Sequence, residues 1–300
     1  VAVRVEYLCS GDPPRRRVVL GRAVDPVDPY DPPGDWPTPE TTGIVGAGLT
    51  YGDLTASGTI TTTSDGQVIE ERDITGRIEI IHDNVTVSRC RVRYNANYGI
   101  YIHDGGGGPP TGVIIEDCEV DQSLATESLD NTPTAIYNEG GEVTFTRLHM
   151  HNTLQGLVCV NDTTIIDSLL LNERRENNSN AHSEPCLAKG QNLWFEGTVF
   201  HGWAPSGMSA ALAIYNDTID THFVTVTGCL IRVDDEGGAH AGYSAYFGSS
   251  HSTGHPPATN VKILNNHIGL GNSGYYTAYD GGQSGSEFTG NVTWPEGDPL

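Results

Sequence analysis

One eight-residue phrase recurs through most of this chain. It reads VTVSRCRV at 85–92, VIIEDCEV at 113–120, VTFTRLHM at 143–150, TTIIDSLL at 163–170, LWFEGTVF at 193–200, VTVTGCLI at 224–231 and VKILNNHI at 261–268, with a degenerate copy near Phe288–Thr293. Successive copies start 28, 30, 20, 30, 31 and 37 residues apart. A unit of that size cannot bury an apolar face alone, so copies must stack on one another as a solenoid. The phrase alternates apolar and polar residues and is rich in Val, Ile and Thr, which favours strands over helices. The expected architecture is all-β: a parallel β-helix of seven to eight rungs.

Each rung carries a second strand: YGIYIHD (98–104), TAIYNEGG (134–141), QGLVCVND (155–162), EPCLAKGQ (184–191), LAIYNDT (212–218), SAYFGSS (244–250) and YTAYDGG (276–282). Alternation turns Ile100, Ile136, Leu157, Cys186 and Ile214 inward, and Tyr101, Tyr137, Val158, Leu187 and Tyr215 outward. Cys90, Cys118 and Cys229 hold one place in the phrase, where Leu148, Ser168, Thr198 and Asn266 stand in other copies; this reads as an interior stack of small side chains. One rung separates Cys90 from Cys118, about 4.8 Å. That spacing permits a disulfide, although buried free thiols are the simpler reading.

The flanking regions differ. Residues 1–41 hold an alternating segment, VAVRVEYL, and then the acidic, proline-rich stretch DPVDPYDPPGDWPTPETT, which cannot pair in a sheet and reads as an extended arm. Residues 42–66 are Gly- and Thr-rich and read as a cap with the first strands; residues 67–300 form the solenoid. The net charge of −22 argues against nucleic acid as a partner. It also disfavours a bare polyanionic substrate, while solubility of an edge-rich β protein explains acidity equally well. No run of about 18 apolar residues is present, so no membrane span is expected, and no secretory leader is visible at the N-terminus. Five Asn-x-Ser/Thr sequons, at Asn84, Asn161, Asn177, Asn216 and Asn291, follow from the preference of Asn for left-handed turns before strands.

The segment from Thr42 to Arg93 resembles the opening of the right-handed β-helix repeat proteins of actinobacteria and their phages. Thr42–Val45, Ile69–Gly76 and Val85–Val92 carry the likeness, which extends to about residue 293. These belong to the wider pectate-lyase-like superfamily, whose members include lyases, glycoside hydrolases, phage tailspikes and proteins without catalysis, so the resemblance implies a right-handed β-helix and leaves activity open. Residues 180–190, NAHSEPCLAKG, stand where related proteins often carry an H-x-D-G-I-Q phrase. His182 and Glu184 match its histidine and acid, and Pro185-Cys186 replaces its Gly-Ile.

Glycan hydrolysis needs two carboxyl groups flanking the bond. Glu139, Asp162 and Glu184 end or begin second strands, and with His182 and Lys189 they are the candidate catalytic set for one groove. A lyase would instead use Lys189, Arg174 or Arg175 as base or clamp, with acids holding calcium. The tyrosines Tyr101, Tyr137 and Tyr215, with Tyr246 or Phe247 and Tyr279, recur at equivalent places. They form either a sheet-surface ladder, a subunit interface, or a platform for sugar rings. Histidines 149, 151, 201, 240, 251 and 255 read as scattered turn and loop residues with no metal-ligand spacing, and neither a metal site nor a cofactor is expected beyond the calcium a lyase would need. The leading expectation is a virion or extracellular protein, tailspike- or tail-like, that engages host surface polysaccharide and docks other virion proteins through its arm. A homo-oligomer fits the same reading. An active lyase or hydrolase and a purely structural tail or capsid component are the alternatives.

Overall fold

A computed structural model describes residues 5–7, 16–18, 36–124, 133–172, 184–202, 209–216, 219–233, 242–248, 256, 258–271, 274–279 and 284–300. The chain divides into two units, Val1–Trp36 and Pro37–Leu300. In the first, Val5–Tyr7 pairs antiparallel with Arg16–Val18, Val5 opposite Val18; the rest of the proline-rich arm up to residue 35 lies outside the described residues.

The second unit is a right-handed parallel β-helix. Each coil visits three sheets in turn. Sheet 1 has nine strands, from Val68–Glu70 through Thr86–Ser88, Val113–Glu116 and Val143–Thr146 to Glu287–Thr289. Sheet 2 has ten, from Thr55–Ser57 through Arg91–Arg93, Glu119–Asp121 and His149–Thr153 to Val292–Trp294. Sheet 3 has nine, from Ile60–Thr61 through Ile78–Ile80, Tyr98–Ile102 and Thr134–Asn138 to Thr277–Tyr279. The recurring phrase is the sheet 1 strand, a tight turn and the start of the sheet 2 strand. The solenoid exceeds the seven to eight rungs counted from that phrase because residues 55–80 already coil. Their Gly- and Thr-rich strands lack the phrase and so escaped the count.

Register explains the core. One inward column of sheet 1 runs Ile69, Val87, Ile115, Phe145, Ile165, Phe195, Val226 and Ile263 on successive rungs, and every member is buried. Sheet 2 contributes Ile74, Val92, Val120, Met150, Leu170, Phe200, Ile231 and Ile268 in the same way. Each such side chain is worth roughly 1.5–3 kcal/mol of burial.

The turn from sheet 1 to sheet 2 repeats with one left-handed residue. Arg89, Asp117, Arg147, Asp167 and Asn265 take φ between 47° and 55° there, and Gly197, Gly228 and Gly290 take the same place on other coils. At Gly197 a Cβ would come within 2.4 Å of Asp167 Oδ1, so a larger residue there would push that carboxylate aside. From Arg89 onward the next residue points inward, whereas Arg72, after left-handed Glu71 on the first such turn, is exposed. Cys90, Cys118, Leu148, Ser168, Thr198, Cys229, Asn266 and Asn291 form the expected interior stack, all buried. Its polar members bridge rungs: Ser168 Oγ accepts from Leu148 N at 3.0 Å, and Asn266 Oδ1 from Cys229 N at 2.8 Å. Asn266 Nδ2 donates to Asn291 Oδ1 at 3.0 Å. Cys90, Cys118, Cys159, Cys186 and Cys229 are free, buried thiols. Among the sequons, Asn84 and Asn161 take left-handed turns, at φ 56° and 61°, whereas Asn216 and Asn291 are buried; Asn177 lies outside the described residues.

Residues 42–54 do not cap the open first rung. They lie against the outer face of sheet 2 on its fourth and fifth strands, where Gly43 N donates to Arg147 O at 2.7 Å and Ile44 is buried. Among the described residues no helix is long and apolar enough to cross a membrane.

Candidate functional sites on the outer faces of sheets 3 and 2

The outward column of sheet 3 reads Thr61, Glu79, Tyr101, Tyr137, Val158, Leu187, Ala213, Tyr246 and Ala278 on successive rungs. Its N-terminal part is an aromatic cluster. The Tyr98 and Tyr101 rings stack at 4.5 Å and 23°, Tyr101 stacks on His103 at 4.0 Å and 15°, and Tyr137 lies 5.3 Å from Tyr98. Alternation makes this cluster, since residues 101 and 103 project from the same face of one strand. Carboxylates flank it. Tyr101 Oη donates to Glu139 Oε1 at 2.6 Å, and Glu79 Oε1 lies 3.0 Å from His103 Nε2. Burial and the Glu139 carboxylate raise the Tyr101 phenol well above its usual value, so it stays a donor. Burial pushes the Glu79 carboxyl up, but the bonds from His103 and Thr61 and the charge of Arg77 outweigh it and hold the group below its usual value.

The C-terminal part is a second tyrosine cluster. Tyr246 lies 5.7 Å from Tyr215 and 5.1 Å from Tyr243, and Tyr243 lies 6.0 Å from Tyr275. Tyr215 does not share the column of Tyr101 and Tyr137. Its register partner is Lys189, and Ala213 occupies the column instead. The expected equivalence fails by two residues, which preserves the outward direction but shifts the ring along the strand.

The expected catalytic set is not gathered in one groove. Lys189 stands two rungs along from Glu139, because Asn138 pairs with Cys159 and Val160 with Lys189. Glu184 stands at the opposite end of the strands, level with Gln155 and Thr134, about 16 Å along the strand direction from Glu139 at ~3.3 Å per residue. Its side chain is fully buried. Asp162 lies at the corner between sheets 3 and 1, where it accepts from Asn192 Nδ2 at 2.8 Å and lines an open depression of ≈ 410 Å³ with Thr111, Glu142 and Thr164. His182 lies outside the described residues. Glu184 is chemically unusual all the same. Burial raises its carboxyl to about 7, with a hydrogen bond from Ser209 and the charge of Lys189 pulling weakly the other way. It is a neutral acid below neutral pH.

A third group lies on sheet 2. His149 and His151 are not turn residues: they project from the same face of the strand His149–Thr153, opposite Glu119 and Asp121 on the preceding strand. His201, read in the same way, also lies on a strand, Val199–Gly202. His151 Nε2 lies 3.1 Å from Glu119 Oε1, and Tyr51 Oη donates to that oxygen at 3.2 Å. Arg91 bridges Glu119 and Asp121, at 3.1 Å each, beneath the Tyr51 ring. Burial and neighbouring His151 lower the His149 imidazole to about 4, so it is neutral across the physiological range. The signal lay in the repeat: Arg91, Glu119 and His149 are the seventh residue of three successive phrases, so stacking them was legible, and a His-x-His in a strand puts both rings on one face.

No protein-family model matches the chain, and comparison with curated proteins finds none similar to it.

Proposed function

We propose that the outer face of sheet 3 binds an extended polysaccharide laid along the solenoid axis. The supporting observation is the pair of tyrosine clusters on one sheet face. Tyr137 and Tyr246 share an outward column four rungs apart, about 19 Å at ~4.8 Å per rung. The stretch between them is aliphatic. Half-exposed aromatic rings at each end offer flat apolar faces to sugar rings, and Glu79 and Glu139 offer acceptors to hydroxyls. The net charge of −22 favours neutral glycans over polyanions. A virion or cell-surface protein that holds host glycan is the setting this reading implies.

Binding to a panel of neutral and acidic glycans tests it. Tyr137→Ala and Tyr246→Ala should each weaken the best binder by about 1–3 kcal/mol, the scale of a lost stacking contact, and Tyr101→Ala, whose ring is stacked between Tyr98 and His103, should weaken it less, by loosening the cluster. Undiminished binding in all three variants, or no binding to any glycan, defeats the proposal. A second reading, glycoside hydrolysis at the N-terminal cluster, draws support from the two carboxylates held at its edges by Tyr101 and His103. Release of reducing ends that vanishes in Glu79→Gln and Glu139→Gln would establish it; binding without turnover leaves the first reading alone.

A further inference from the structure

The cluster on sheet 2 has the composition of a transition-metal site. Glu119, His149 and His151 each offer one ligand atom, and those atoms lie within 4.8 Å of one another. We propose that Glu119, His149 and His151 bind a divalent transition ion of the zinc and cobalt class, which staples the segment 42–54 to the solenoid.

Four observations carry the proposal. First, the donor set is two imidazole nitrogens and one carboxylate, which suits zinc, cobalt, nickel or copper and is wrong for calcium or magnesium, which take oxygen ligands. Second, His151 Nε2 and Glu119 Oε1 are 3.1 Å apart, close to the ~3.3 Å edge of a tetrahedron with ~2.0–2.1 Å bonds. The third ligand must close in by one side-chain adjustment of His149, whose ring is already stacked 4.6 Å from that of His151. Third, all three ligands stand on two adjacent strands in fixed register, Glu119 opposite His149, so the backbone needs no movement.

Fourth, the surroundings are those of an oriented site. Arg91 and Tyr51 hold the Glu119 carboxylate through Oε1, and Asn152 Nδ2 lies 3.0 Å from His151 Nδ1. Ligation through Nε2 moves the ring proton to Nδ1 and displaces the Asn152 amide from that nitrogen, while Asn152 Nδ2 keeps its bond to Asp121 Oδ1 at 3.1 Å. Three protein ligands leave one position for water. The segment 42–54 sits directly on the group. A Cβ at Gly43 would come 2.8 Å from His149 Cβ, and Tyr51 bonds a ligand, so an ion here fixes both strands and cover.

The full chain, stripped with chelator and dialysed, is titrated with cobalt(II). A visible absorption band saturating at one ion per chain is expected, together with a rise in melting temperature that zinc reproduces and calcium does not. His149→Gln and His151→Gln should each weaken cobalt binding at least roughly tenfold, the loss that follows even from outer-shell changes. His222→Gln, on sheet 1, should leave it intact. Folding of each variant is checked by far-UV circular dichroism; if His149→Gln misfolds, the less buried His151 decides the matter. Absence of the band and of the melting shift in the wild type overturns the proposal. Binding that persists undiminished in the folded histidine variants overturns it too, because the ion then sits elsewhere.

Discussion

Glu184 gives the sharpest test of how this solenoid handles charge. Its carboxyl is fully buried, and burial raises it from 4.5 to about 7 against the weaker opposing pull of Ser209 and Lys189. An unfolded chain exposes the group at its ordinary value. Between those two values the folded protein therefore binds the proton that the unfolded chain has released. Stability from this group is fully present below about pH 4.5 and falls as pH rises to about 7, then levels off. A shift of about 2.5 units at ~1.36 kcal/mol each amounts to about 3 kcal/mol. Glu184→Gln keeps the shape and removes the titration. Urea unfolding of both proteins, followed by circular dichroism at pH 4.5 and pH 8, isolates the term, since any fixed cost of the amide cancels between the two pH values. The variant should gain about 3 kcal/mol relative to wild type on going from the acid to the alkaline condition. A difference that stays flat across that range would falsify the buried neutral acid and mean that Glu184 is ionised and paired.

Four further outcomes follow from the register and the outer faces. Phe195 and Trp194 are neighbours on opposite faces of one strand, the first buried and the second 43% exposed. Phe195→Ala should cost about 3–5 kcal/mol in urea unfolding, while Trp194→Ala should stay within about 0.5 kcal/mol. Asn266→Ala removes the acceptor of Cys229 N and the donors to Val226 O and Asn291, so a loss of about 1–3 kcal/mol is expected in the same assay. Asp117→Ala breaks a bidentate pair with Arg147 at 2.6 and 2.7 Å, but Arg147 is 41% exposed, so the expected cost is about 1 kcal/mol or less and shrinks in salt. Glu79 has the opposite sign to Glu184. Its carboxyl is held below the usual value, so its contribution is present above the ordinary carboxylate range and is lost as pH falls through the depressed one. The penalty of Glu79→Gln should accordingly fade in acid, read as a pH-dependent difference in melting temperature.

The phrase repeat made the architecture legible because a parallel β-helix imposes the same demand on every coil. A left-handed turn residue, an inward small residue and an alternating strand recur at Asp117-Cys118 and Asp167-Ser168 alike. The first coil was harder to see, because Thr55–Thr61 packs through Gly- and Thr-rich strands with few apolar anchors. The site was only half legible. Tyr101 and Tyr137 follow from period-two alternation, which register preserves across adjacent rungs. Tyr215 was misplaced because equivalence was judged from the pattern Ile-Tyr-Asn, whereas the hydrogen-bonded register aligns Ala213 with Leu187. Glu184 and Glu139 were placed in one groove because both lie beside second strands; strand direction puts them at opposite ends. The sheet 2 cluster was missed for a different reason. Reading His149 and His151 as loop residues ignored that the phrase continues into a strand of five residues, His149–Thr153.

The three outer faces differ in what they expose. A coil needs only its inward columns to fold, so the outward columns are free to vary. On sheet 1 the outward column alternates mainly between threonines, Ile114 and Trp194, a solvated surface with no convergent polar groups. On sheet 2 the outward residues Glu119, Asp121, His149, Leu169, Val199 and Leu230 are buried, while Arg91, Arg93, His151 and Leu171 stay partly exposed. Among the described residues, sheet 3 carries partly exposed tyrosines at both ends of one column, with Val158 and Ala213 buried between them. The tyrosines pack on one another across the rungs, and such pairs steady a sheet surface by roughly 0.2–1 kcal/mol each. The glycan proposal adds a second role to them, since a linear polymer laid along the axis would cover both clusters at once.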